Sequence, residues 1–164
     1  MSESKDKIKK VSVICAKGSL EDVYAALVMT NGARMEGIEA NLFFTFFGLD
    51  AITKKKMNKL HTATVGNPAM AMPGGLPFPT ILGVLPGVEA GVSAMMRKGM
   101  DDLDIPPVEE FLDMINAAGG KIYGCKLAVD MFKLKREDMY DDMDSIITIG
   151  EFYEKAAGGQ IIFT

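Results

Sequence analysis

The chain has 164 residues, 48% of them hydrophobic and 24% charged, with a formal net charge of -4 at pH 7. That length suits one domain with a proper core and is too short for two ordinary ones, while the acidic balance argues against a nucleic-acid backbone as partner. The two cysteines, Cys15 and Cys125, are far apart and outside any CxxC pair or Cys/His cluster, so no metal and no cofactor are expected.

The stretch Met1 to Lys10 is polar and Lys-rich with no apolar core, which excludes a secretory signal. Residues 1–7 read as a disordered leader, residues 8–164 as the single domain, and the cytoplasm as its location. In that reducing compartment each cysteine is expected as a free thiol, either buried and inert or exposed and reactive.

Ile8 to Ala16 is an apolar run rich in β-branched residues, and it stops at Lys17-Gly18-Ser19, where a glycine and a capping serine predict a strand-to-helix turn. From Leu20 to Glu36, Val23, Ala26, Leu27, Thr30 and Ala33 recur at helical spacing, with Glu21 and Asp22 near the positive helix start and Gly37 past its end. Ile38 to Phe47 is a second strand with four aromatic positions, broken by Gly48. Two strands joined by a helix predict a right-handed, parallel βαβ unit.

Asp50 to Leu60 is basic and polar, and His61, the only histidine, has no Ser or Cys near it in sequence to suggest a triad. The segment at about 66–100 departs from the βα rhythm and reads as an insertion. It holds Met70, Met72, Met95, Met96 and Met100 together with Pro73, Pro77, Pro79 and Pro86, and Glu89 is its only charge before Arg97. Its prolines and glycines argue against a membrane span, leaving a lid or an oligomer contact as the better reading and a peripheral membrane dock as the lesser one.

Pro106-Pro107 opens a helix at Val108 to Ala118, and Gly119-Gly120 closes it. Lys121 to Gly124 is a third strand leading into Cys125, with a helix from Cys125 to Phe132. The acidic run Glu137 to Asp144 reads as a solvated loop, Asp144 to Thr148 as the fourth strand, Ile149 to Ala157 as a helix and Gln160 to Phe163 as the last strand. The alternation predicts an α/β fold: an open, doubly wound, mainly parallel five-stranded sheet with helices on both faces, in a flavodoxin-like order.

In such sheets reactive groups sit beyond the carboxyl ends of the strands. Cys125 is the sharper candidate, because it follows Gly124 and opens a helix whose unpaired N–H groups favour a thiolate, with Lys126 as a further positive charge. A small apolar filler at the same position is about equally expected from spacing alone. Cys15 more often has the structural role, but if strands one and three are neighbours it becomes a second, resolving thiol. Lys17, Gly18 and Ser19 are second-rank binding residues for a small anion, although both phosphate-loop spacings are absent and an ordinary capped turn explains them more simply.

Several segments together resemble the DsrE/DsrF/DsrH-like family: Ser12 to Leu20, Asn31-Gly32-Ala33 through Phe43-Phe44-Thr45-Phe46-Phe47-Gly48-Leu49, Pro73-Gly74-Gly75, and Tyr123-Gly124-Cys125-Lys126-Leu127-Ala128-Val129-Asp130-Met131. The resemblance spans most of the chain. It implies that Cys125 carries sulfur as a persulfide or thiosulfonate, as a sulfurtransferase-like carrier rather than a turnover enzyme, with sulfur donor and acceptor proteins as partners. It also implies a homo-oligomer, a trimer or hexamer. Lys126, Leu127 and Ala128 depart from the small, Met- and Ser-rich residues usual after that cysteine, and neither thiol has the Thr-xx-Cys context of a peroxiredoxin. The alternative of a different class is a non-catalytic oligomeric binding protein that grips a partner or membrane surface through the Met/Pro/Gly-rich segment.

Overall fold

Five strands, Lys10–Cys15 (β1), Glu39–Phe44 (β2), Lys121–Cys125 (β3), Ser145–Ile147 (β4) and Gln160–Phe163 (β5), form one sheet in a computed structural model that describes residues 7–65 and 79–164. Every pairing is parallel, as the βα alternation predicts. The order is β4-β3-β2-β1-β5, which corrects the flavodoxin-like arrangement: β2 lies between β1 and β3, and β1 has β5 as its other neighbour. A parallel crossover can step to either side, and the local pattern of a βα unit does not say which strand it reaches.

The helices are Leu20–Met35 (α1), Val88–Asp101 (α2), Val108–Ala117 (α3), Lys126–Met131 (α4) and Ile149–Ala156 (α5). Glu21 and Asp22 in the first turn of α1 and Arg34 in its last complement the helix dipole. Thr148 and Glu151 cap α5 reciprocally, the hydroxyl accepting from the Glu151 N–H while the carboxylate accepts from the Thr148 N–H at 2.7 Å. Those bonds hold the Glu151 carboxyl below its ordinary pKa.

Helices cover both faces. The Asn41 amide of β2 donates to Ser12 Oγ at 3.1 Å and to the Lys155 carbonyl of α5, and Phe43 packs on Phe152 of α5 with ring centroids 4.7 Å apart. Alternation along β2 therefore turns Leu42 and Phe44 to the opposite face, where α1 and α3 lie. Leu42, Phe43 and Phe44 are all buried, which explains the nearly unbroken apolar run of this central strand.

Two boundaries differ from expectation for identifiable reasons. β2 ends at Phe44 rather than Phe47, because the Thr45 N–H donates to the Cys15 carbonyl and the Gly48 N–H to that of Ala16, drawing the chain back over the end of β1. Phe46 sits there at φ +44, and residues Phe46–Ile52 form a 3-10 turn. In the Met-rich stretch, Thr80–Val84 form another 3-10 turn and α2 follows, so regular structure fills its second half. Residues 66–78, with Met70, Met72 and the Pro73-Gly74-Gly75 loop, lie outside the described residues, as do residues 1–6 of the leader.

Candidate functional site

Cys125 is the last residue of β3 and the N-cap of α4, in an extended conformation (φ -74°, ψ 118°). The strand-to-helix junction expected from Gly124-Cys125 is thus present. Gly124 leaves room for the core on one side: a Cβ there would meet Met143 Cε at 3.3 Å, with Ile52 and Leu49 just behind. Cys125 itself is 2% exposed. Lys126 is engaged elsewhere, its ammonium donating to Asp130 one turn on at 3.0 Å.

Cys15 ends β1 and is fully buried, its thiol donating weakly to the Lys17 carbonyl at 3.5 Å. Burial pushes its pKa up to about 11, with Asp22 adding to the rise and a bond from Thr164 opposing it. At neutral pH it is a protonated thiol, not a nucleophile.

The sheet separates the two thiols. Cys15 is in register with Phe44 of β2, and Phe44 with Gly124 of β3. Two strand spacings amount to about 10 Å, beyond the Cα separation of about 7 Å that a disulfide tolerates. Cys125 lies one residue further, so its side chain leaves the sheet by the opposite face, the face on which Tyr123 packs under Lys155 of α5. The pairing of Cys15 with Cys125 that adjacent strands one and three would permit is therefore corrected: the fold keeps them apart.

The Lys17-Gly18-Ser19 turn borders a cleft of about 730 Å³ that neither cysteine lines. Its opposite wall is the stretch from Leu60 to Val65, and Lys55, Lys56 and Lys59 stand along it. Gly18 is obligatory, since a Cβ there would lie 2.6 Å from the Phe47 carbonyl oxygen. Ser19 occupies the N-cap of α1, but its hydroxyl donates to Asp22 at 2.5 Å and accepts no capping bond from a backbone N–H. Lys17 pairs with the same carboxylate at 3.2 Å, and the Leu20 N–H donates to the His61 carbonyl. His61 is half exposed and 3.3 Å from Glu89 of α2, which places it on the surface. The basic run 54–59 was visible in the sequence, whereas its meeting with residues 17–19 depends on a tertiary contact that no local pattern encodes.

Apolar side chains crowd the carboxyl end of the sheet. Phe46, Phe47, Leu127 and Met131 are exposed, and Phe47 packs on Phe132 at 5.7 Å. Among the described residues, no three His, Cys, Asp or Glu side chains are grouped to hold a metal ion, and no helix is long and apolar enough to cross a membrane.

Comparison with known proteins places this geometry in context. The chain is 34% identical over 138 residues to the sulfur carrier protein DsrE2 of Allochromatium vinosum, covering 83% of this chain and 86% of that one. It is 23% identical over 141 residues to the uncharacterized protein YrkE of Bacillus subtilis (85% and 86% covered). The crystal structure of the ychN protein from E. coli superposes with a TM-score of 0.58 at 10% identity, over 96% of this chain and all of the other, a likeness of fold. The model of the DsrE/DsrF/DrsH-like family matches residues 7–163, and the chain belongs to that family.

Proposed function

We propose that this protein is a sulfur carrier whose working group is Cys125. The observation that carries the reading is a thiol at the carboxyl end of a parallel strand where it becomes the N-cap of α4, in a chain 34% identical to a protein named as a sulfur carrier.

The chemistry is exchange without net redox change. The Cys125 thiolate attacks the outer sulfur of a donor persulfide, the donor S–S bond breaks, and the donor leaves as a thiolate while Cys125 becomes a persulfide. An acceptor thiolate then attacks the outer sulfur and returns Cys125 to its thiolate. Cys15, buried and on the other face, takes no part, and Gly124 serves by letting the strand end pack closely. Because Cys125 is buried, transfer requires the start of α4 to open, and α4 is only six residues long with Leu127 66% exposed. Donor and acceptor proteins, a trimeric or hexameric assembly and a cytoplasmic setting complete the proposal.

Intact-mass analysis of the reduced protein after exposure to polysulfide or tetrathionate, with peptide mapping, tests it. A sulfur or thiosulfonate adduct on Cys125 that a thiol removes, and that Cys125→Ser lacks while keeping the same melting temperature, is the expected result. A folded wild-type protein that takes up no sulfur on Cys125 overturns it. Sedimentation velocity tests the assembly, with a monomer as the contrary result.

A further inference from the structure

We infer that the outer edge of β5 is the contact through which a second copy of this chain extends the sheet, the two β5 strands running antiparallel about a two-fold axis at Ile162. The sheet has two edges, and they differ. β4 is three residues long and is led in by the exposed Asp141, Asp142 and Asp144, a short and charged edge of the kind that resists pairing. β5 has none of these guards: Ala156 to Thr164 holds no charged side chain and no proline, its register with β1 is unbroken, and Ile161 and Phe163 are 47% and 67% exposed. Among the described residues, β1 is the only strand that pairs with it.

The hydrogen bonds to β1 fix which groups of β5 point outward. The Thr164 N–H donates to the Ile14 carbonyl, and the Thr164 carbonyl accepts from the Ala16 N–H, so Thr164 turns both backbone groups inward. These groups alternate in direction along a strand, so Ile162 also turns inward while Ile161 and Phe163 turn theirs out. No backbone group of a described turn or loop bonds to them there. An antiparallel copy centred on Ile162 sets Ile161 opposite the partner's Phe163, and each such pair exchanges two N–H···O=C bonds, giving two bonds on either side of the axis. The same register lays the exposed Ile161 side chain against the partner's Phe163 on the face that carries α5, an aliphatic–aromatic cross-strand pair. The strand is thus its own complement. An unstructured peptide offers the same backbone bonds but must first lose its conformational freedom, whereas a second β5 arrives already extended on its own sheet, which selects a copy of this chain as the occupant. The contact rests on the assembly proposed above and chooses within it: a hexamer of two stacked trimers contains two-fold axes, and a trimer contains none.

Sedimentation velocity of the full-length protein compares the wild type with Phe163→Lys, which puts a charge on an exposed edge side chain without touching a bond to β1. The wild type is expected as a hexamer, and Phe163→Lys, folded by thermal melting, at about half that mass. Cysteine cross-linking reads the register itself and does not depend on that variant. In a Cys125→Ser background, diamide is expected to join Ile162→Cys protomers by a disulfide, because residue 162 faces its own counterpart across the axis at a Cα separation of about 4.5 Å. Ile161→Cys, whose own counterpart lies diagonally beyond about 7 Å, is expected to cross-link at least about fivefold less. A wild type that sediments as a trimer overturns the edge contact and leaves the proposed carrier intact, and a monomer overturns the contact together with the assembly. A hexamer unchanged by Phe163→Lys, or equal cross-linking at 161 and 162, overturns the edge contact alone. Sulfur loading of Cys125 is read separately by mass and is expected to be the same in Phe163→Lys as in the wild type.

Discussion

Cys15 and Cys125 are both buried at strand ends, on opposite faces of the sheet. For Cys15, burial raises the thiol pKa from 9.0 to about 11, so the folded state keeps a proton that the unfolded chain releases. The stability this contributes is fully present below about pH 9 and is lost as pH rises through about 11. Denaturant titrations at pH 8 and near pH 11 are expected to show a steeper loss in the wild type than in Cys15→Ala, by roughly 2–3 kcal/mol. Iodoacetamide at neutral pH is expected to label Cys125 at a rate set by local opening, and Cys15 only once the protein unfolds. Glycines fix this end of the sheet as firmly. A Cβ on Gly48 would run into the Cys15 carbonyl, a backbone group that has nowhere to move, so Gly48→Ala is expected to cost at least about 1–3 kcal/mol in chemical denaturation. The placement of Cys125 at a strand-helix junction was legible, because Gly124 and the apolar run before it mark the end of a strand. The engagement of Lys126 by Asp130 was not anticipated, although the four-residue spacing of the pair stands in the sequence.

Elements with strong periodicity and clear punctuation matched their expected bounds closely: α1, α3, α5 and β5 each lie within a residue or so. α2 is the contrary case. Gly91 and Gly99 lower its intrinsic helicity, and the prolines before it dominate any reading of the segment. Its attachment explains why it forms: the Thr62 N–H donates to Ser93 Oγ at 2.8 Å within the protein, Arg97 donates to the Leu60 carbonyl, and Met96 and Met100 lean on the core. Ser93→Ala leaves a buried Thr62 N–H without a partner, at a cost of about 1–3 kcal/mol. Hydrogen exchange is expected to quicken across 60–65 and 88–101 while β1, β2 and β3 stay protected; uniform loss of protection would mean that α2 is integral to the core. The outer side of this region exposes Ile81, Val84, Leu85 and Met95, which is where an oligomer contact, as the composition suggests, would be sought by cross-linking.

For the molecule as a whole, an α/β fold with a parallel sheet could be read from alternation alone, because each βα step carries its own local signals. The strand order could not, since nothing within β1 or β5 records that they will pair across some 150 residues of chain. That order also decided the fate of the two-thiol idea, which required strands one and three side by side. The central place of β2 makes it the strand most sensitive to truncation. Leu42→Ala, at a fully buried position between β1 and β3, is expected to lower stability by about 2–5 kcal/mol, more than Ile161→Ala on the half-exposed edge strand β5.

The pairing of β5 with β1 has a consequence for synthesis. As the chain leaves the ribosome, β1, β2 and β3 can assemble with their helices, but the far side of β1 stays an open row of backbone donors and acceptors until Gln160–Phe163 emerge. The nascent protein therefore carries an unsealed hydrophobic strand edge until β5 follows, and a ribosome stalled before β5 would present a template for pairing with a second nascent chain.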